Sequence, residues 1–333
     1  MNQRDDAGDS ALIHAVRLCK KTMVRKLLNA KNIDINQVNY EGLSPLHIAA
    51  KGNKSICELL LSCKEIAVNI KNNYSTPLIM AVEANNLPNI DLLLKSKKIE
   101  VNLSNTYGIT ALHIAAHNGL LRAVKLLIQH PDININAVDN NYSTALMAAV
   151  PQGHFKVVDA LLEQPAIDVN CHDKFMITPL MLAVIDGNTT MVKKLLRHHS
   201  LRVNDKNIQG ETALLLAVCR GTAELVEALT AHEDIDIDSV DRKGNTGLHR
   251  AVMAERPDDV IRVLLANRIN IHLENHSGFT AFAIAMELGN TRIVDFLRRA
   301  LTFDQDPQCV PTIHFARGNP APYTATTFMQ PDG

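Results

Sequence analysis

TALHIAA (residues 110–116) returns with small changes at an almost constant step along the chain, and that recurrence decides the fold. The phrase reads SPLHIAA from Ser44, TPLIMAV from Thr76, TALMAAV from Thr144 and TPLMLAV from Thr178. It continues as TALLLAV from Thr212, TGLHRAV from Thr246 and TAFAIAM from Thr280, after a weaker first copy, SALIHAV, from Ser10. The starts lie 34 residues apart, except between Ser44 and Thr76, where the step is 32. Self-similarity at such a period marks a solenoid of stacked units, each too small to bury its own apolar face.

The unit from Thr110 shows the logic. Thr110 is a good N-cap, able to accept a bond from a free N–H of the first helical turn. ALHIAAHNG then makes a short helix, which Gly119 stops by taking the left-handed conformation. LLRAVKLLIQ forms a second helix, with Leu121, Val124, Leu127 and Ile128 at helical spacing. The connector HPDININAVDNN follows, and its alternating Ile133, Ile135 and Ala137 predict an extended arm that turns at an Asn-rich tip.

Phrase, period and sequel resemble the ankyrin repeat, whose signature centres on T-P-L-H-x-A, over about residues 8 to 301. The resemblance implies an all-α ankyrin-repeat solenoid of helix-turn-helix units with β-hairpin-like connectors, here an array over 1–302. A Pro-rich irregular tail, 303–333, is expected to follow. The extra residue per unit falls in connectors such as EQPAIDVN (163–170), a style similar to that of repeat proteins of intracellular bacteria and some protists.

Departures from the pattern carry their own expectations. Gly52 comes one residue early and a second residue is missing before Thr76, so the second and third units should meet through a tighter hairpin with irregular stacking. The hairpin glycine two residues before the Ser/Thr gives way to Tyr74, Tyr142 and Met176. Asn72-Asn73 and Asn140-Asn141 are expected to absorb the unusual backbone angles there, with altered finger geometry. The first unit is expected to lack a preceding hairpin and, with Arg17, Lys20, Lys21, Arg25 and Lys26, to act as a cap.

Among 333 residues, 46% are hydrophobic and 21% charged, with a formal net charge of −1. Near-neutrality gives no long-range pull toward nucleic acid or anionic membranes. The N-terminal stretch lacks a secretory apolar core, and no run of about 18 apolar residues could span a bilayer. Six cysteines without C-x-x-C spacing suit reduced thiols. A cytosolic location is expected, with delivery into a host cytoplasm as the alternative.

Local signatures of catalysis are missing: no G-x-S-x-G, phosphate loop or zinc motif occurs. His198 and His199 are adjacent and their side chains are expected to diverge. Cys219 is the thiol expected nearest the groove. No cofactor, metal or small-molecule substrate is expected, and the protein is read as a non-enzyme. The resemblance implies a structural hydrogen-bonding role for His47, His113 and His249, and a turn-anchoring role for the asparagines that close the units. In animal cells such asparagines can also be hydroxylated.

The resemblance further implies a protein or peptide partner, held on the concave face by hairpin tips and first helices. Carried over unit by unit, the contact positions are Tyr40, Asn73, Tyr107, His117, Asn118, Asn141 and Gln152. The later units add Lys174, Phe175, Asp186, Gln209, Arg220 and Lys243. An adaptor or scaffold, including an effector acting in a host cell, fits this pattern. An enzyme or enzyme-targeting module with groups in the groove, or an inhibitor covering a partner's site, are the alternatives.

Overall fold

The computed structural model describes residues 2–72, 74–256 and 258–303. They form eighteen helices in nine pairs and, among the described residues, no strand. First helices are α1 (Ala11–Arg17), α3 (Pro45–Lys51), α5 (Pro77–Glu83), α7 (Ala111–His117) and α9 (Ala145–Ala149), then α11 (Pro179–Ile185), α13 (Ala213–Arg220), α15 (Gly247–Met253) and α17 (Ala281–Glu287). Second helices are α2 (Lys21–Leu28), α4 (Lys54–Leu61), α6 (Leu87–Leu94), α8 (Leu121–Ile128) and α10 (Phe155–Leu162), then α12 (Thr189–Leu195), α14 (Ala223–Thr230), α16 (Asp258–Ala266) and α18 (Thr291–Phe303). Each first helix packs on its own second helix and on the first helix of the next unit. The expected tail lies outside the described residues from 304 onward.

Every first helix starts where the Ser/Thr of the phrase stands. From Ser10 to Thr280, each of the nine side chains accepts the N–H three residues on. Such a cap contributes about 1 kcal/mol. The leucine two places later, as in Leu46, Leu112, Leu146 and Leu180, is almost wholly buried. The alanines after it let neighbouring units approach closely. Second helices supply the other half of the core, through pairs such as Val124–Leu127 and Val158–Leu161. Each buried aliphatic side chain contributes roughly 1.5–3 kcal/mol.

The exit from the first helix needs a left-handed residue. Glycine provides it at Gly119, Gly153, Gly187, Gly221 and Gly289; Cys19, Asn85 and Glu255 adopt the same conformation elsewhere (φ 48–53°). Gly52 alone does not, with φ −114°. The α3–α4 connection is accordingly two residues long, against three between α7 and α8.

Three expectations are corrected. The connector does not form an extended arm: residues 129–137 run through successive turns, and pairing reduces to isolated bridges at four fingers, such as Val138 with Thr144. Tyr142 and Met176 themselves take the left-handed angle (φ 64° and 60°), so no neighbouring Asn absorbs it. Their fingers keep the ordinary geometry. Tyr142 N–H and Met176 N–H reach the carbonyls of Asp139 and Asp173 at 3.0 and 2.9 Å, as Gly108 N–H reaches Asn105 at 3.1 Å. The first unit also has a finger. Arg4 bridges to Ser10, and Asp5 accepts the N–H groups of Ala7 and Asp9 at 3.0 and 2.8 Å. Gly8, two residues before Ser10, was the signal in the sequence.

Candidate functional site: the finger row and first helices

Each finger is built around one acceptor side chain. Asn105 Oδ1 takes the N–H groups of Tyr107 and Ile109 at 2.9 and 3.0 Å. Asp173 does the same for Phe175 and Ile177 at 2.8 and 2.9 Å, and Asn207 for Gln209 and Glu211 at 2.9 Å each. Asx side chains close turns in this way. Finger three is tighter, because Asn72 takes Tyr74 and Ser75, two and three residues on. Successive fingers are also tied to each other: Asn140 N–H donates to Tyr107 O at 3.0 Å, Lys174 N–H to Asn141 O at 3.0 Å and Ile208 N–H to Phe175 O at 3.1 Å. The tips thus stand on a fixed frame.

Of the thirteen carried-over contact positions, Asn73 lies outside the described residues and the other twelve are exposed. Tyr40, Tyr107, Asn141, Lys174, Phe175, Gln209 and Lys243 sit on finger tips; His117, Asn118, Gln152, Asp186 and Arg220 end or follow first helices. Tyr40 is 70% exposed, Tyr107 60% and Phe175 49%. Lys174 Nζ stands 5.2 Å over the Phe175 ring and donates to Asn141 Oδ1 at 2.9 Å. Arg4 lies 6.0 Å over Tyr40. The Arg220 guanidinium reaches the Ile185 carbonyl, back across the unit boundary, beside Asp186. Partial burial raises the Asp186 carboxyl, and Arg220 opposes that rise.

Sequence reasoning missed two finger aromatics as contact candidates. Tyr74 and Tyr142 are 66% and 60% exposed, so five consecutive fingers each present an aromatic ring. Both stand at the place of a hairpin glycine, outside the usual contact positions of the repeat. It also missed a half-buried apolar series at the fifth place of the phrase, including Ile48, Ile114, Leu182 and Leu216. Arg250 interrupts this series. Its guanidinium bonds Glu211 at 2.5 Å, Asp241 at 3.1 Å and Cys219 Sγ at 3.1 Å. Burial raises the Cys219 pKa despite Arg250, so at neutral pH the group is a thiol and a poor nucleophile. Burial also pushes Cys57 and Cys171 up to about 12.

Two histidines of the phrase join units. His113 Nδ1 accepts the Thr110 N–H at 3.2 Å, which leaves the proton on Nε2 to donate to Ser143 O of the next unit at 2.9 Å. His249 repeats this with Phe279 O at 2.9 Å. Burial holds both imidazoles below their ordinary pKa, although those carbonyls pull the other way. The closing asparagines do more than anchor their own turns. Asn102 donates to Asp132 O at 2.7 Å and accepts Asn134 N–H at 2.8 Å, both in the next unit; Asn136, Asn170 and Asn204 repeat the pair. His198 and His199 do not diverge: their rings stack at 4.8 Å. Among the described residues no cluster of three metal-binding side chains occurs, and no helix is long and apolar enough to cross a membrane.

No relative among the curated proteins matches the chain at a significant level. A family model described as ankyrin repeats (3 copies) matches residues 1–72, 78–173, 146–241, 180–275 and 220–309. With matches over most of its length, the chain belongs to the ankyrin repeat family, whose repeats are generally protein–protein interaction modules.

Proposed function

We propose that this protein is a scaffold or adaptor that binds a protein or peptide partner on its fingers and first helices, in a cytoplasm, without catalysis of its own. The observation that carries the reading is the finger frame: exposed aromatic and charged tips stand on turns locked by Asx acceptors and finger-to-finger hydrogen bonds. A surface fixed before binding loses little ordering entropy on association. Aromatic and Arg side chains dominate interface hot spots, which singles out Tyr107, Phe175 and Arg220. Action as an effector in a host cell is a narrower form of the same proposal, motivated by connector style alone.

Capture from cell lysate tests the reading, comparing the intact chain with a Tyr107→Ala/Phe175→Ala/Arg220→Ala variant of matching circular dichroism and melting temperature. The expected outcome is a partner kept by the intact chain and lost, at least tenfold, by the variant. Equal capture by both would move the contact away from these tips.

A further inference from the structure

The nine finger tips differ in charge, and the charges are ordered along the row. Finger one presents Asp6 and finger two Glu41, both exposed. Fingers three to five carry no charge among their described tip residues, which include Tyr74 and Tyr107. Asp139, at the base of finger five, spends its carboxylate on the N–H groups of Asn141 and Ser143. Finger six presents Lys174, and finger eight presents Arg242 and Lys243, all three exposed. The acidic residues of fingers six and eight do not offset these cations. Asp173 spends its carboxylate on the N–H groups of its own turn, and Asp241 is buried against Arg250 as well as capping its turn. Two charge pairs at the ends of the first helices are matched locally instead: Lys51 with Glu83 at 3.8 Å, and Asp186 beside Arg220. Lys174, Arg242 and Lys243 have no carboxylate partner among the described residues.

Spacing converts this order into a ligand. Fingers six to nine are bonded in succession: Ile208 N–H to Phe175 O, Arg242 N–H to Gln209 O and His276 N–H to Lys243 O. Units packed through their helices lie about 10 Å apart, so fingers six and eight stand ~20 Å apart. An extended chain covers that distance in about six residues at ~3.3 Å each. We propose that the finger row takes an extended acidic polypeptide segment in one fixed orientation. Two carboxylates about six residues apart lie over Lys174 and over the Arg242–Lys243 pair. Neutral or apolar residues run over the rings of Tyr107 and Tyr74, and the far end, neutral or basic, reaches Glu41 and Asp6. This rests on the reading of the finger face as a protein-binding surface and adds to it the chemistry and direction of the ligand.

The test uses a defined probe, a fluorescent synthetic peptide ~24 residues long, enough to run the row at about 3.3 Å per residue. It carries two Glu about six residues apart near one end, Ala, Val and Pro between, and Lys at the other end, with a benzophenone beside the Glu pair. The expected results are saturable binding that weakens as salt is raised, and photo-cross-links confined to segments holding Lys174, Arg242 or Lys243. A folded Lys174→Glu/Arg242→Glu/Lys243→Glu variant should bind the probe at least about tenfold more weakly. Cross-links spread over both ends of the array would overturn the proposal. So would equal binding of a peptide with the same residues scrambled, tighter binding of a single-stranded oligonucleotide, or no saturable binding. A partner that needs Tyr107, Phe175 and Arg220 yet binds the charge-reversed variant unchanged would remove the orientation while leaving the interaction face standing.

Discussion

The junction between the second and third units and the junction between the fourth and fifth are built from the same motif but held differently. In the regular junction His113 reaches the Ser143 carbonyl and His154 Nε2 reaches the His117 carbonyl at 2.9 Å. In the shortened one, His47 Nε2 is buried with no hydrogen-bond partner among the described residues. The Ser75 backbone, counterpart of Ser143, opposes the fall in the His47 pKa without taking a hydrogen bond of ordinary geometry. Two asparagines of the third unit make good the loss. Asn89 Nδ2 reaches the carbonyls of Ala49 and Ala50 at 2.9 and 3.0 Å, and Asn86 Nδ2 reaches that of Gly52 at 2.7 Å. At the other end of the second helices an open cleft of about 450 Å³ separates the two units, lined by Leu61, Ile66 and Val68 of one and Leu92 of the next. A solenoid tolerates a lost residue when a neighbouring unit supplies donors for the helix end that the shorter loop leaves open.

Replacing Asn89 should break the comparison most sharply. Asn89→Ala leaves the Ala50 carbonyl at the buried end of α3 without its Asn89 donor, takes the second donor from Ala49, and is expected to cost about 2 kcal/mol, read by chemical denaturation. Asn136→Ala, which removes an exposed clasp of the regular kind, should cost about half that. Equal losses would mean that the shortened junction bears no special load.

Acid should separate the junctions next. Burial lowers the His47 pKa from 6.5 to about 4. The unfolded chain therefore binds the proton more readily, and the stability from neutral His47 is present above pH 6.5 and lost as pH falls toward 4. Between pH 7 and 5 the loss is about 2 kcal/mol, and hydrogen exchange in α3 and α4 should rise before exchange in α11 to α14. Loss of protection first in the central units would contradict this.

The smallest effect concerns the fingers that kept their shape without glycine. Tyr142 holds a left-handed angle that costs a non-glycine residue roughly 1 kcal/mol. Tyr142→Gly should stabilise the protein by about 0.5 kcal/mol after the extra chain entropy of glycine, seen as a small rise in melting temperature. A fall would show that the exposed ring contributes packing that outweighs the strain.

Much of this was legible in the residues. The nine capping Ser/Thr, the buried leucines and the step of 32 are local signals, because a helix cap and a helical period involve residues a few places apart. The contact positions could be carried over for the same reason: they occupy fixed places in the phrase. What the sequence did not reveal was reciprocal between units. That Asn102 clasps the next connector, that Asn89 seals the end of α3 and that Arg250 gathers Glu211 and Cys219 all involve groups about 30 to 40 residues apart. Periodicity alone thus determined the fold and the residues facing inward, since burial repeats with the motif. Only the tertiary structure decided which polar groups satisfy which across a boundary, because a buried donor takes whatever acceptor the stacking brings within reach.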